Sequence, residues 1–280
     1  MGSAAWSHMR AIGERARSML DRLSIGQVKE TPLTSRNPEP AAVKLEGVSV
    51  AYGTRLAVTG ITGQFAPASL TAVVGPNGAG KSSLLQAIAG IRPLQSGRIG
   101  SVADHQNILA YLPQKAEIER NFPVRVGELI ALGAWRSFGA FRRPPDSVFD
   151  RVAEAAASAG LDGLLNRHIE NLSVGEFQRA LFARLLLQDA SVILLDEPFA
   201  AVDERTAEDL LRVVLHWHQT GRTVIAVLHD LDQVRAHFPT TLLLARACIA
   251  WGDTVSVLTE ENLAHARRAL QGRASDPGAA

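Results

Sequence analysis

The run Gly75-Pro-Asn-Gly-Ala-Gly-Lys-Ser82 sets three glycines, a lysine and a hydroxyl at a spacing suited to phosphate. Glycines let the backbone curl so that successive N–H groups face inward onto phosphate oxygens. A helix starting near Gly80 adds the positive end of its dipole. Lys81 supplies a point charge for β- and γ-phosphates, and the Ser82 hydroxyl, followed by Ser83, suits Mg²⁺, a hard ion that takes oxygen ligands. Pro76, Asn77 and Ala79 complete the loop. A second stretch, Val192-Ile-Leu-Leu-Asp196-Glu197, is an apolar strand ending in two acids. Asp196 at its tip can hold Mg²⁺ through water, and Glu197 can orient or polarise an attacking water. Together the two stretches read as a nucleotide site.

Elements must hold these groups in place. Val43, Leu45, Val48 and Val50 read as an edge strand interrupted at Gly47. Leu70–Val74 is a short apolar run leading into the glycine loop, and Leu84, Leu85, Ile88 and Ala89 follow at helical spacing. Val192–Leu195 and Val224–Leu228 read as buried strands, with a helix from Glu208 to Gln219 between them, closed by Gly221. Apolar strands alternating with helices call for a parallel sheet covered on both faces. Residues 115–172 are instead rich in helix signals, among them Val152 to Ala159 stopped by Gly160, and read as a helical lobe inserted into the α/β core. His216 and His218 point to different faces of their helix and are read as surface or packing residues.

Composition narrows the class. The 280 residues are 46% hydrophobic, enough for one large core or two modest ones. A net charge of +1 excludes a generally basic nucleic-acid wrapper. Cys248 alone excludes an internal disulfide framework and points to a reducing compartment. No stretch is long and clean enough to span a bilayer, which takes about 20 residues. The N-terminus lacks an unbroken secretory apolar run, and Trp6 stands where a myristoylation signal wants Ser or Thr. Any membrane link is therefore expected through a partner. Residues 1–40 read as a leader, basic and amphipathic around Met9 to Leu23, with a proline linker at Pro32, Pro38 and Pro40. Residues 41–260 read as the main domain, and 261–280 as a short helix and tail.

Further motifs give this chain a family likeness. Leu172-Ser-Val-Gly-Glu176 resembles the signature of the ATP-binding cassette (ABC) ATPases, and it lies shortly upstream of Asp196. Gln114 in Tyr-Leu-Pro-Gln resembles the family's γ-phosphate- and Mg²⁺-sensing glutamine. Asp203 in Ala-Ala-Val-Asp resembles the aspartate at its dimer interface, and His229 in Leu-His-Asp its switch histidine. Tyr52 is placed like the aromatic that stacks on adenine. The likeness covers roughly Val43 to Asp253. It implies an α/β P-loop fold with a mainly parallel sheet, an antiparallel β edge and an inserted helical subdomain. It also implies that two ATP molecules are sandwiched between two copies, with Ser173, Gly175, Glu176 and Asp203 acting in trans.

The signature departs from the usual Leu-Ser-Gly-Gly-Gln at Val174 and Glu176, which bears on rate. Ser173 and Glu176 sit at the capping-box spacing, so Ser173 is expected to cap the next helix while Glu176 reaches back. Val174 is expected to stiffen the loop, lacking glycine's backbone freedom. By this likeness the chain powers separate membrane permease subunits from the cytoplasmic face of the inner membrane, with an extracytoplasmic binding protein and no nucleic acid. The helical lobe would grip the permease. Phe122, Trp135, Phe138 and Phe141 offer it apolar contact, though at least two read as the lobe's own core. The segments Asn121–Gly133 and Leu195–Asp203, with Phe199, resemble ATPases of zinc and manganese importers. Siderophore and cobalamin importers share part of this pattern. A separate-chain exporter or a soluble ABC ATPase are the remaining alternatives.

Overall fold

The computed structural model describes residues 40–100, 109–114, 122–135 and 145–274. The leader within 1–39, Phe138, Phe141 and the tail beyond 274 lie outside the described residues. The described residues fall into two compact units. One holds 40–100, 109–114, 191–198 and 214–274; the other holds 122–135, 145–190 and 199–213.

The first unit contains two sheets. Strand β5 (Leu109–Leu112), β6 (Val192–Asp196), β7 (Thr223–Val227), β3 (Leu70–Val74), β8 (Thr240–Ala245) and β9 (Ala247–Asp253) line up in that spatial order. All neighbours are parallel except β8 and β9. β3, β6 and β7 are buried at every position, which is why they read as unbroken apolar runs rather than alternating ones. A separate three-stranded antiparallel sheet has β1 (Val43–Tyr52) between β2 (Arg55–Phe65) and β4 (Ser96–Gly100). β1 is thus a central strand, not the edge strand its broken pattern indicated. The break at Gly47 is real: the register shifts between Leu45 and Val48, and Gly47 takes a φ of 61°. Helix α1 (Lys81–Ile88) buries Leu84 and Leu85 in the same apolar cluster as Val43, Val50 and Phe65 of the small sheet and Val73, Val192 and Val227 of the large one.

The second unit is helical. α2 (Val126–Ala131) and α3 (Asp146–Ser158) pack on α4 (Val174–Gln188), which buries Phe177, Leu181, Phe182 and Leu185. α3 starts six residues before Val152: Pro145 stands at its N-cap position in extended backbone (φ −62°, ψ 154°), and the helix begins directly after it. Likewise α5 (Glu204–Gln219) begins four residues earlier than its apolar pattern. Asp203 sets that start, since its carboxylate accepts from the Thr206 N–H and hydroxyl at 2.9 and 2.8 Å. α5 begins in this unit and ends in the first. Three further helices, α6 (Leu231–His237), α7 (Thr254–Val257) and α8 (Glu260–Ala274), follow in the first unit. Among the described residues, no helix is long and apolar enough to cross a membrane.

A buried threonine ties the start of the large sheet together. Thr223 is fully enclosed; its hydroxyl donates to the Ala41 carbonyl at 2.7 Å and accepts from the Ala68 N–H at 2.9 Å. Valine has the same shape but would leave both backbone groups unsatisfied. Thr223→Val is expected to lower the unfolding free energy by about 1–3 kcal/mol, read as a lower urea midpoint at unchanged slope.

Candidate nucleotide site

The glycine loop sits between the end of β3 and the start of α1. Two of its glycines are demanded by close backbone approach. A Cβ on Gly75 (φ 152°) would meet the Leu244 carbonyl oxygen at 2.0 Å, and one on Gly80 (φ 92°) the Ala57 carbonyl oxygen at 2.3 Å. Gly78 takes a φ of 79°, while Pro76, Asn77 and Ala79 fill out the turn. Lys81 is only 6% exposed. Its ammonium donates to the Gly75 and Pro76 carbonyls at 2.8 and 3.2 Å. Burial pushes the Lys81 pKa down, against the Glu197 and Asp196 carboxylates, which raise it.

Three side chains converge on the end of β6. The Ser82 hydroxyl donates to Asp196 Oδ1 at 3.1 Å, and Asp196 is 1% exposed. Glu197 stands one residue beyond the strand, with a left-handed φ of 51°, and its N–H donates to the Val227 carbonyl at 3.2 Å. Gln114 Nε2 donates to Glu197 Oε2 at 2.9 Å, and His229 Nε2 lies 2.6 Å from Glu197 Oε1. An ionised carboxylate only accepts, so a hydrogen bond to ionised Glu197 requires the histidine proton on Nε2. Asp230 fixes the histidine's turn by capping α6: its Oδ1 accepts from the Asp232 and Gln233 N–H groups.

Tyr52 ends β1 with 49% of its surface exposed. The Ser83 hydroxyl donates to its Oη at 3.3 Å. Nothing in the sequence marks Arg92, yet its guanidinium carbon lies 3.7 Å from the Tyr52 ring centroid.

The signature residues lie in the helical unit. Ser173 caps α4, and the expected reciprocal pair is present: Glu176 N–H donates to Ser173 Oγ at 3.1 Å, and Ser173 N–H to Glu176 Oε2 at 2.7 Å. Arg167 adds an ion pair to Glu176 at 3.4 Å. The Ser173 backbone N–H, then the Ser173 hydroxyl and Arg167, hold the Glu176 carboxyl below the usual range. Val174 occupies the first helical position of α4, a backbone state open to any residue, so glycine's freedom is not needed there. Gly175 is different. A Cβ on it would stand 3.2 Å from Thr206 Oγ1 and 3.6 Å from Asp203 Oδ2. Gly175 and Asp203 are therefore neighbours within one unit. Of the four aromatics weighed for partner contact, Phe122 and Trp135 are half-buried.

The ABC transporter family matches residues 58–200, which take in the glycine loop, Gln114, the signature, Asp196 and Glu197. The manganese transport system ATP-binding protein MntB of Listeria monocytogenes is 33% identical over 226 residues, 79% of this chain and 94% of that one. This chain belongs to the ABC ATPases. The zinc transport system ATP-binding protein TroB of Treponema pallidum is 35% identical over 238 residues, 84% of this chain and 88% of its own. Among solved structures, a metal-chelate type ABC transporter in an inward-facing conformation superposes with a TM-score of 0.72 at 28% identity, over 80% of this chain and 89% of that one. Tyr52, Asp203 and His229 fall outside the residues matched to the family, and rest on the geometry above.

The cap at the signature has a stability consequence. Ser173→Ala is expected to cost about 1 kcal/mol, measured by urea unfolding. Glu176's arm of the cap acts above the ordinary glutamate value of 4.5 and fades as pH falls through its lowered folded value. The gap between wild type and Glu176→Ala should therefore narrow as pH falls from 4.5 through the lowered folded value.

Proposed function

We propose that this ABC ATPase is the energy-supplying subunit of an importer for zinc or manganese ions. The observation that carries the catalytic part is the Glu197 carboxylate, held on both oxygens by Gln114 and His229 beside the Ser82–Asp196 pair. In this reading Gly75 to Ser83 cradle the ATP phosphates, Lys81 meets the β- and γ-phosphates, and Tyr52 stacks on the adenine.

The donors around Asp196 suit a hard divalent ion. The Ser82 hydroxyl, the Asp196 carboxylate and the Gln114 amide oxygen are all oxygen ligands, the set Mg²⁺ prefers. When bound, Mg²⁺ draws charge off the phosphate oxygens. Glu197 orients the attacking water and takes its proton, while His229 holds Glu197 and contacts the γ-phosphate. Each Glu197 oxygen accepts one of these hydrogen bonds and keeps a further lone pair with which to accept from the water. Phosphoryl transfer then rests on positioning and charge stabilisation.

A second copy of the chain completes the site. Ser173 and Gly175 of one copy face the γ-phosphate bound by the other, with the α4 N-terminus lending its N–H groups, while Glu176 caps that helix and Asp203 acts in trans at the interface between the copies. ATP binding closes the pair and hydrolysis reopens it. Permease subunits in the membrane take up that motion at the helical unit. The chain then sits on the inner face of the cell membrane, with a binding protein delivering the ion outside. The manganese and zinc transport names of the similar proteins support the choice of cargo. The ATPase residues themselves do not select the ion.

Glu197→Gln keeps the shape but cannot take a proton. It is expected to bind ATP as the wild type does and to hydrolyse it at least about 100-fold more slowly, measured by phosphate release alongside an ATP titration. Wild-type turnover would remove Glu197 from the mechanism. The cargo is tested in cells lacking the chain, rescued by wild type or by Glu197→Gln. Zinc or manganese uptake is expected to return only with wild type. Unchanged uptake of both metals would move the cargo to a siderophore, cobalamin or export substrate.

A further inference from the structure

Arg92 lies beyond α1, in no motif, yet it is held in place from three sides. Its Nε donates to Gln86 Oε1 at 3.1 Å, and its own N–H donates to the Gln86 carbonyl at 3.2 Å. Gln86 is buried in α1. The guanidinium carbon lies 3.7 Å from the centre of the Tyr52 ring, covering one face of it. Ser83, also on α1, holds the other end of the same side chain through Tyr52 Oη at 3.3 Å.

We propose that Arg92 is a positioning residue for the nucleotide base: it occupies one face of Tyr52, so that adenine stacks on the opposite face, in register with the phosphate loop. The proposal rests on Tyr52 being the base platform. Three physical consequences support it. First, a cation over one face of an aromatic ring is attracted by the ring quadrupole, which adds to the Gln86 bonds in keeping Arg92 on that face. Second, two aromatic faces both carry negative potential and resist direct stacking. A guanidinium behind Tyr52 draws that density away from the front face and favours an electron-rich purine there. Third, a ring held at its face and at its hydroxyl is already oriented when the base arrives, which lowers the ordering cost of binding. Gln86 and Ser83 share α1 with Lys81 and Ser82, so one short helix sets both the base platform and the phosphate cradle. Lysine is no substitute, because it lacks both the planar group that covers the ring and the Nε link to Gln86.

The test uses the full chain and two probes, ATP and inorganic tripolyphosphate, each titrated with Mg²⁺ onto wild type, Arg92→Ala, Arg92→Met, Tyr52→Ala and the Arg92→Ala/Tyr52→Ala double variant. Arg92→Met keeps much of the stem packing and loses the charge. Both Arg92 variants are expected to weaken ATP about five-fold and to leave tripolyphosphate unchanged. Arg92→Ala should add nothing in the Tyr52→Ala background. In turnover, KM for ATP should rise while kcat holds, and Arg92→Lys should recover only part of the loss. Equal weakening of ATP and tripolyphosphate would overturn the proposal, since Arg92 would then support the loop or the fold. So would unchanged ATP affinity, or losses that add in the double variant. If Tyr52→Ala itself leaves ATP binding intact, the base-platform reading fails, and the Arg92 proposal with it. If Tyr52→Ala weakens ATP and Arg92→Ala does not, only the Arg92 proposal falls.

Discussion

A buried lysine is the constraint around which this unit is arranged. Lys81 has lost most of its water. An ammonium in that position must be compensated or give up its proton. Two carbonyls of its own loop provide hydrogen bonds, and the carboxylates of Asp196 and Glu197 provide opposing charge. Asp196 is in turn buried and Glu197 partly so, and both need partners of their own, which Ser82, Gln114 and His229 supply. Each group in the cluster thus answers the desolvation of another. The apolar strands β3, β6 and β7 end side by side, which is what brings these charges together.

Glu197 shows how tightly that arrangement is fixed. A non-glycine residue with a φ of 51° holds a backbone state of higher energy, which persists only where the surroundings over-determine it. Here the Val227 carbonyl takes the Glu197 N–H, and Gln114 and His229 hold the side chain. The strain turns the chain sharply at the tip of β6, so that the carboxylate next to Asp196 faces a different set of partners from Asp196 itself. Two adjacent acids can then do different work: one beside a hydroxyl, the other beside an imidazole and an amide.

What could be read from the sequence was whatever depends on neighbours along the chain. The Ser173–Glu176 cap is a three-residue spacing and forms as that spacing requires. The glycine loop and the strand ending in Asp196-Glu197 were legible for the same reason. β1 was misplaced because its status depends on β2 and β4, and β4 (Ser96–Gly100) is short and largely exposed, with no apolar alternation to announce it. The true start of α5 was hidden because Asp203 and Thr206 set it by side-chain capping, while the apolar stripe begins later. Arg92 over Tyr52 joins residues 40 positions apart through a cation and a ring face, a contact that leaves no periodic trace.

The altered signature follows the same logic of local fit. Family likeness made Val174 an anomaly, since valine cannot adopt every backbone state that glycine can. In the fold, the residue after a helix cap has ordinary helical geometry, and a β-branched side chain there meets no backbone penalty beyond its reduced rotamer freedom. The glycine that matters is Gly175, where an added Cβ would stand 3.2 Å from the Thr206 hydroxyl, which would have to give way. One of the two small positions in this motif is therefore a matter of close approach and the other is not. The same distinction explains why Glu176 fits where glutamine is usual: its carboxylate accepts the Ser173 N–H as an amide oxygen would, and Arg167 stands beside it to offset the added charge.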